Sequence, residues 1–377
     1  MAHFNSEADF AGVLGHEIGH VTARHSVTQQ RNAILGQLGI LASVVINPEL
    51  GQFAQQASQG LQLLFLKFGR DAERESDKLG VEYSTKIGYD AQQMANFFTT
   101  LKRKQSDEAA DLPSFLSTHP DPGERNVTVS KLATEWKKSL NLTNPKVNRE
   151  TYLRRIEGII YGEDPKQGFV EANVFYHPEL KFQFPVPAGW TVVNTPQAVH
   201  MAPKNGSALL MMTLAPGKTL EESANAVLQR YNLQALNSRN LTVNGLNAIA
   251  LLADQKPDPQ QQQQQQQQPA VRTLSYFIQQ GTNIYHLVGV TDTNTFGNYE
   301  GLFTNTMQNF KTLTDASKLN KKPERVRLKT TTRAGTLQQA LESYAISKNR
   351  LEEIAILNGM KLTDQIGRGT LIKLVQP

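Results

Sequence analysis

The sequence contains no cysteine, which excludes disulfide bonds and thiolate metal ligands and leaves histidine and carboxylates to do any metal chemistry. A long apolar run is missing too. The most hydrophobic stretch, residues 34–46, is broken by Gly36, Gln37 and Gly39. It is shorter than the roughly 20 residues a spanning helix needs, so it reads as a buried helix or as one that leans on a membrane surface. Met1 is followed by AHFNSEADF, which has neither the basic region nor the apolar core of a secretory signal. Strong charge of one sign is also absent: a net +5 over 377 residues is modest and demands no nucleic-acid partner. Residues 318–377 carry 12 Lys/Arg against 5 Asp/Glu, so the rest of the chain is slightly acidic.

At 377 residues the chain is long enough for two or three domains. The first 160 residues are mostly helical in pattern, with apolar spacings of three and four over residues 8–24, 34–45, 57–86, 91–104, 126–138 and 149–158. Ser6 is placed to cap the first helix. After Gly162 the period changes to two, with strands expected near 181–186, 208–214, 247–253, 272–279 and 283–290 and helices near 220–234 and 299–310. Nine glutamines, 260–268, fall between two of those strands and read as a hairpin loop. A basic linker leads to a last segment with the order strand, helix 337–344, helix 349–358, strand 371–374. The expected architecture is therefore multidomain α+β: a mainly helical domain over 1–163, an α+β sheet domain over 164–315 and a small βααβ module over 324–377.

The segment HEIGH, residues 16–20, carries the chemistry. On a helix, His16 and His20 project from one face a turn apart and reach one metal ion, with Glu17 beside the open coordination position as general base. Gly15 and Gly19 next to them each weaken a helix by about 1 kcal/mol, a cost that close packing would explain. A third ligand is needed. His25 is disfavoured: the extended metzincin pattern requires a glycine and a histidine where this chain has Ala23 and Ser26. On a continuous helix His25 would also point away from the metal and act as an exposed or capping residue. Glu73 and Asp77, four apart in GRDAERESDKLG, are candidates for a ligand and for an acceptor to a ligand imidazole. The alternative is a solvated charged face.

The succession LGHEIGHVTARH, RDAERESDKLG and STHPDPGER resembles the gluzincin zinc metallopeptidases of the HtpX, CAAX prenyl protease and BepA type. That resemblance implies one zinc ion held by His16, His20 and Glu73, with Asp77 behind a ligand. It places His119, within the match to Ser117, Thr118, Pro120, Glu124 and Arg125, near the metal as an oxyanion stabiliser or an occupant of the water position. The resemblance implies a metalloendopeptidase acting on protein substrates in the bacterial periplasm or envelope. The sheet region resembles the PsbP-like fold. The last segment resembles a divergent LysM module, which implies peptidoglycan or chitin glycan as a ligand, with a packing module lacking any ligand as the other reading. Relatives of this type carry a substrate-binding edge strand and an export signal or membrane helix before HEIGH, so the chain is expected to be truncated at its start. A second function class stays open: an envelope binding or assembly factor whose metal site is silent.

Overall fold

The computed structural model describes residues 1–28, 30–31, 54–105, 122–256 and 270–377. The expected helix at 34–45, the glutamine tract and His119 lie outside the described residues. The fold is mixed helix and sheet, in two compact units: Met1–Tyr161 together with Arg325–Pro377, and Gly162–Glu324. The last segment thus joins the first rather than standing by itself.

The first unit opens with α1 (Glu7–Thr22), capped by the Ser6 side chain, which accepts from the Asp9 N–H. It is followed by α2 (Ala54–Lys86), α3 (Gln92–Gln105), α4 (Pro122–Ser139) and α5 (Arg149–Ile156). Val13, Val81, Met94, Phe98, Leu101, Val129 and Leu153 from these helices form one buried core. No described helix is long and apolar enough to cross a membrane.

The second unit holds two antiparallel sheets. The small one is built from β1 (Phe169–Glu171), β2 (Val174–His177), β3 (Phe182–Pro185) and, later in the chain, β11 (Lys311–Thr312), in that order. The large one takes β4 (Trp190–Asn194), β5 (Ala198–Pro203), β6 (Ala208–Leu214), β7 (Leu233–Val243), β8 (Leu246–Gln255), β9 (Val271–Gln280) and β10 (Asn283–Asp292), in the spatial order β4-β5-β6-β10-β9-β8-β7. Alternate residues of β8 and β9 feed opposite faces. Ile249, Leu251 and Phe277 meet Ala224 and Val227 of α6 (Leu220–Arg230), while Ala248, Ala250 and Tyr276 share a core with Phe303 and Met307 of α7 (Phe296–Gln308). Coverage on both faces explains why β9 and β10 are almost wholly buried. A four-residue helix, α8 (Ala316–Leu319), closes the unit.

Back in the first unit, β12 (Arg325–Thr330) pairs antiparallel with β15 (Leu371–Gln376), and β13 (Gly335–Thr336) pairs with β14 (Gln365–Ile366). Between them lie α9 (Leu337–Ser343), started by a reciprocal Thr336–Gln339 capping box, and α10 (Leu351–Leu357). Ile372 and Leu374 face the small core of this segment, whereas Leu328 and Leu371 lean on the helical core of residues 1–161. Lys373, between them and fully buried, donates from Nζ to the carbonyls of Ala2 at 2.7 Å and Phe4 at 2.9 Å. Arg149 reaches the Leu371 carbonyl, and Arg103 reaches the Met360 carbonyl and Glu352.

Burial and then the Arg149 charge hold the Lys373 amine well below its ordinary 10.5. The native state therefore sheds this proton before the unfolded chain does, so stability rises with pH between the lowered native value and 10.5. Lys373→Met removes the donor to the Ala2 and Phe4 carbonyls, at about 1–3 kcal/mol for each one left unsatisfied, and abolishes that rise. Hydrogen exchange of the α1–α4 amides measures both effects, with the exposed Lys348→Met as a control expected within about 0.5 kcal/mol of the parent.

Candidate metal centre

Helices α1 and α2 cross at backbone distance. A Cβ built on Gly15 would lie 3.1 Å from the Gly80 Cα, and one on Gly80 would lie 2.9 Å from both the Gly12 carbonyl oxygen and the His16 nitrogen. Gly19 sits likewise 3.1 Å from the Ser76 Cα. The glycines around HEIGH serve this approach, and their intrinsic helix cost is offset by it.

The crossing brings His16, His20 and Glu73 together, each offering one ligand atom, with all three atoms within 4.8 Å of one another. His16 Nε2 and His20 Nε2 are 3.0 Å apart, His20 Nε2 is 3.2 Å from Glu73 Oε1, and His16 Nε2 is 3.5 Å from Glu73 Oε2. Ligand atoms about 2.0–2.1 Å from a tetrahedral zinc stand roughly 3.3 Å from each other, so the donor set fits that ion in spacing and in kind. Glu17 follows His16 on α1 and is half-buried.

Behind the ligands lies a bundle of buried charge. His16, with no exposed surface, directs Nδ1 at Asp77 Oδ1, 2.9 Å away. Burial pulls its pKa down, but hydrogen bonds to Asp77 and Glu73 outweigh that and leave it raised above 6.5. Arg125, on α4, grips Asp77 with two prongs, Nε to Oδ2 at 2.8 Å and Nη2 to Oδ1 at 2.6 Å. Its Nη1 lies 3.1 Å from Glu73 Oε2, and its guanidinium stacks 4.3 Å from the Phe98 ring centroid. Arg125 appears in the sequence only as the end of STHPDPGER; its role as the counter-ion of both carboxylates becomes visible once α4 is placed.

His25 requires a correction. It is buried, and its Nδ1 lies 3.0 Å from His20 Nδ1 while its Nε2 lies 3.2 Å from Glu75 Oε2. The expectation of an outward-facing residue assumed that the first helix runs through Arg24. It ends instead at Thr22, and Arg24 takes a left-handed φ of 56° that folds His25 back onto α1.

Residues 1–133 match peptidase family M48. The beta-barrel assembly-enhancing protease of Yersinia pestis is 33% identical over 171 residues, 42% of this chain and 34% of that protein. Metalloprotease YcaL of Escherichia coli is 30% identical over 129 residues, 32% of this chain and 47% of that one. The chain therefore spans about a third to a half of the length of these curated relatives. Among solved structures, the cyanobacterial PsbP of Synechocystis aligns with a TM-score of 0.30 at 12% identity, covering 38% of this chain and 94% of that one.

Gly80→Ala should force the helices apart and cost about 1–3 kcal/mol, with a matching loss of metal affinity. Gly69→Ala on the same helix meets nothing within 4 Å among the described residues and should be neutral or stabilising by up to about 1 kcal/mol. Urea unfolding and metal titration of the two variants check this.

Proposed function

We propose that this chain, whose residues 1–133 match peptidase family M48, is a zinc metalloendopeptidase of the bacterial periplasm or envelope that hydrolyses peptide bonds of protein substrates. The observation that carries this reading is the convergence of two imidazole nitrogens and one carboxylate oxygen, with Glu17 next to His16 on the same helix. His16, His20 and Glu73 would hold one zinc ion. When bound, zinc supplies a Lewis acid that polarises the scissile carbonyl and acidifies the attacking water. Glu17 takes a proton from that water as its oxygen adds to the carbonyl carbon, and delivers it to the amine nitrogen as the C–N bond breaks. Asp77 keeps His16 oriented through Nδ1, and Arg125 holds Asp77 and Glu73 in place. By resemblance, His119 stabilises the oxyanion or occupies the water position in a resting form.

The envelope assignment draws on the Yersinia relative, whose name ties it to β-barrel assembly. A LysM-like role for 324–377, with peptidoglycan as ligand, draws on the order β12, α9, α10, β15; co-sedimentation of the whole chain with peptidoglycan tests it, and failure to sediment overturns it.

Metal analysis should find one zinc per chain. Glu17→Gln should keep that zinc and lose at least ~100-fold in casein cleavage. Protein without stoichiometric zinc, or a Glu17→Gln variant as active as the parent, overturns the reading.

A further inference from the structure

The proposed reaction leaves one buried titratable side chain at the site unused. His25 is 7% exposed and belongs to no ligand set. Its position follows from the left-handed turn at Arg24, just past the end of the ligand helix α1.

The hydrogen-bond directions along this side of the site are forced by chemistry. His20 turns Nε2 toward His16 and Glu73, so Nε2 is its ligating atom and must carry a lone pair. A neutral imidazole then bears its proton on Nδ1. His20 Nδ1–H therefore donates to His25 Nδ1 across 3.0 Å, and that nitrogen accepts. The Ser76 hydroxyl lies 3.3 Å from the same nitrogen, whose single in-plane lone pair is taken by the shorter His20 bond. The proton of His25 consequently sits on Nε2 and points at Glu75 Oε2, 3.2 Å away. The two rings meet edge to face, with centroids 5.0 Å apart at 79°, so the donating edge of one can address the nitrogen of the other in its own plane.

We propose that His25 is a positioning residue for the metal centre: it fixes the tautomer and ring orientation of His20, with Glu75 anchoring it from behind. The two ligand histidines are thus held by unequal arms. His16 meets the buried carboxylate of Asp77 directly, whereas His20 reaches a carboxylate through an intervening imidazole, and that carboxylate has a 61% exposed side chain. All of the carboxylate anchors come from one stretch of α2, Glu73 to Asp77.

This assignment rests on the zinc reading, and its test separates the two. Zinc affinity of the whole chain is measured by chelator competition, and unfolding of the metal-free protein is measured in EDTA. His25→Ala should bind zinc about 10-fold or more less tightly while the EDTA unfolding midpoint stays at the parental value. His25→Asn places an amide oxygen where Nδ1 accepts, and should restore affinity to within about threefold of the parent. Glu75→Ala should fall between His25→Ala and the parent, since it loosens His25 without removing the acceptor. His25→Ala binding zinc as tightly as the parent, or His25→Asn losing as much as His25→Ala, overturns the assignment while leaving the metal site intact. An EDTA midpoint that drops in step with zinc affinity overturns it in favour of a plain packing role. A parent chain that binds no zinc overturns the metal reading and this assignment with it.

Discussion

The metal-ligand cluster depends on the contact of α1 with α2 at Gly15 and Gly80, where each glycine occupies the place a neighbour's side chain would need. Two helices with ordinary side chains at their crossing stand about 8–10 Å apart. At that separation a short carboxylate such as Glu73 could not bring its two oxygens to within 3.2 and 3.5 Å of the two ligand imidazoles. The closeness of the backbones is therefore a condition of the chemistry, and the conformational cost of several glycines in one helix is tolerated because packing across the crossing offsets it. The same contact buries His16 completely and makes its Nδ1 partner a necessity, since an unpaired buried N–H would cost about 1–3 kcal/mol.

Burial of that kind sets an electrostatic problem, and Arg125 is its solution. Glu73 and Asp77 bring two negative charges into a nearly closed site, and one guanidinium contacts both. The balance, two negative and one positive, leaves a single negative charge that a divalent cation reverses to a single positive one. Such an arrangement favours an incoming cation, yet the guanidinium keeps the carboxylates from repelling one another in its absence. Arg125 is well suited to this because its planar fork satisfies Asp77 with two parallel bonds and still leaves a nitrogen for Glu73.

What was legible in the sequence follows from which interactions are local. The α1 pattern and its Ser6 cap depend on residues within a turn or two of each other, and so do the spacings of HEIGH and of Glu73 with Asp77. His25 departs from its expected place because one left-handed residue, Arg24, invalidates any projection from helical spacing. Several strands carry little sequence pattern for a different reason. β7 is exposed along most of its length, lying at the sheet edge where polar residues replace alternation. Its one clear signal was the Asn244–Gly245 turn, with both residues at positive φ, the local chemistry of a tight hairpin.

The segment after Arg325 shows how a long-range contact can invert a local reading. In LIKLVQ the alternation places Ile372 and Leu374 inward and Lys373 outward, as for the solvent face of a two-stranded ribbon. That outward face is covered by residues 2–4, and Lys373 becomes a fully buried amine holding two of their carbonyls. Asn358 completes the arrangement by donating to the Lys373 carbonyl and accepting its N–H, both at 2.8 Å, in place of a neighbouring strand. Ser6 then begins α1 three residues before Asp9 and ten before His16. The chain entering the metal-ligand helix is thus tied down by a strand more than three hundred residues later. Loosening that strand would act on the ligands through the first turn of α1, without touching any atom of the cluster itself.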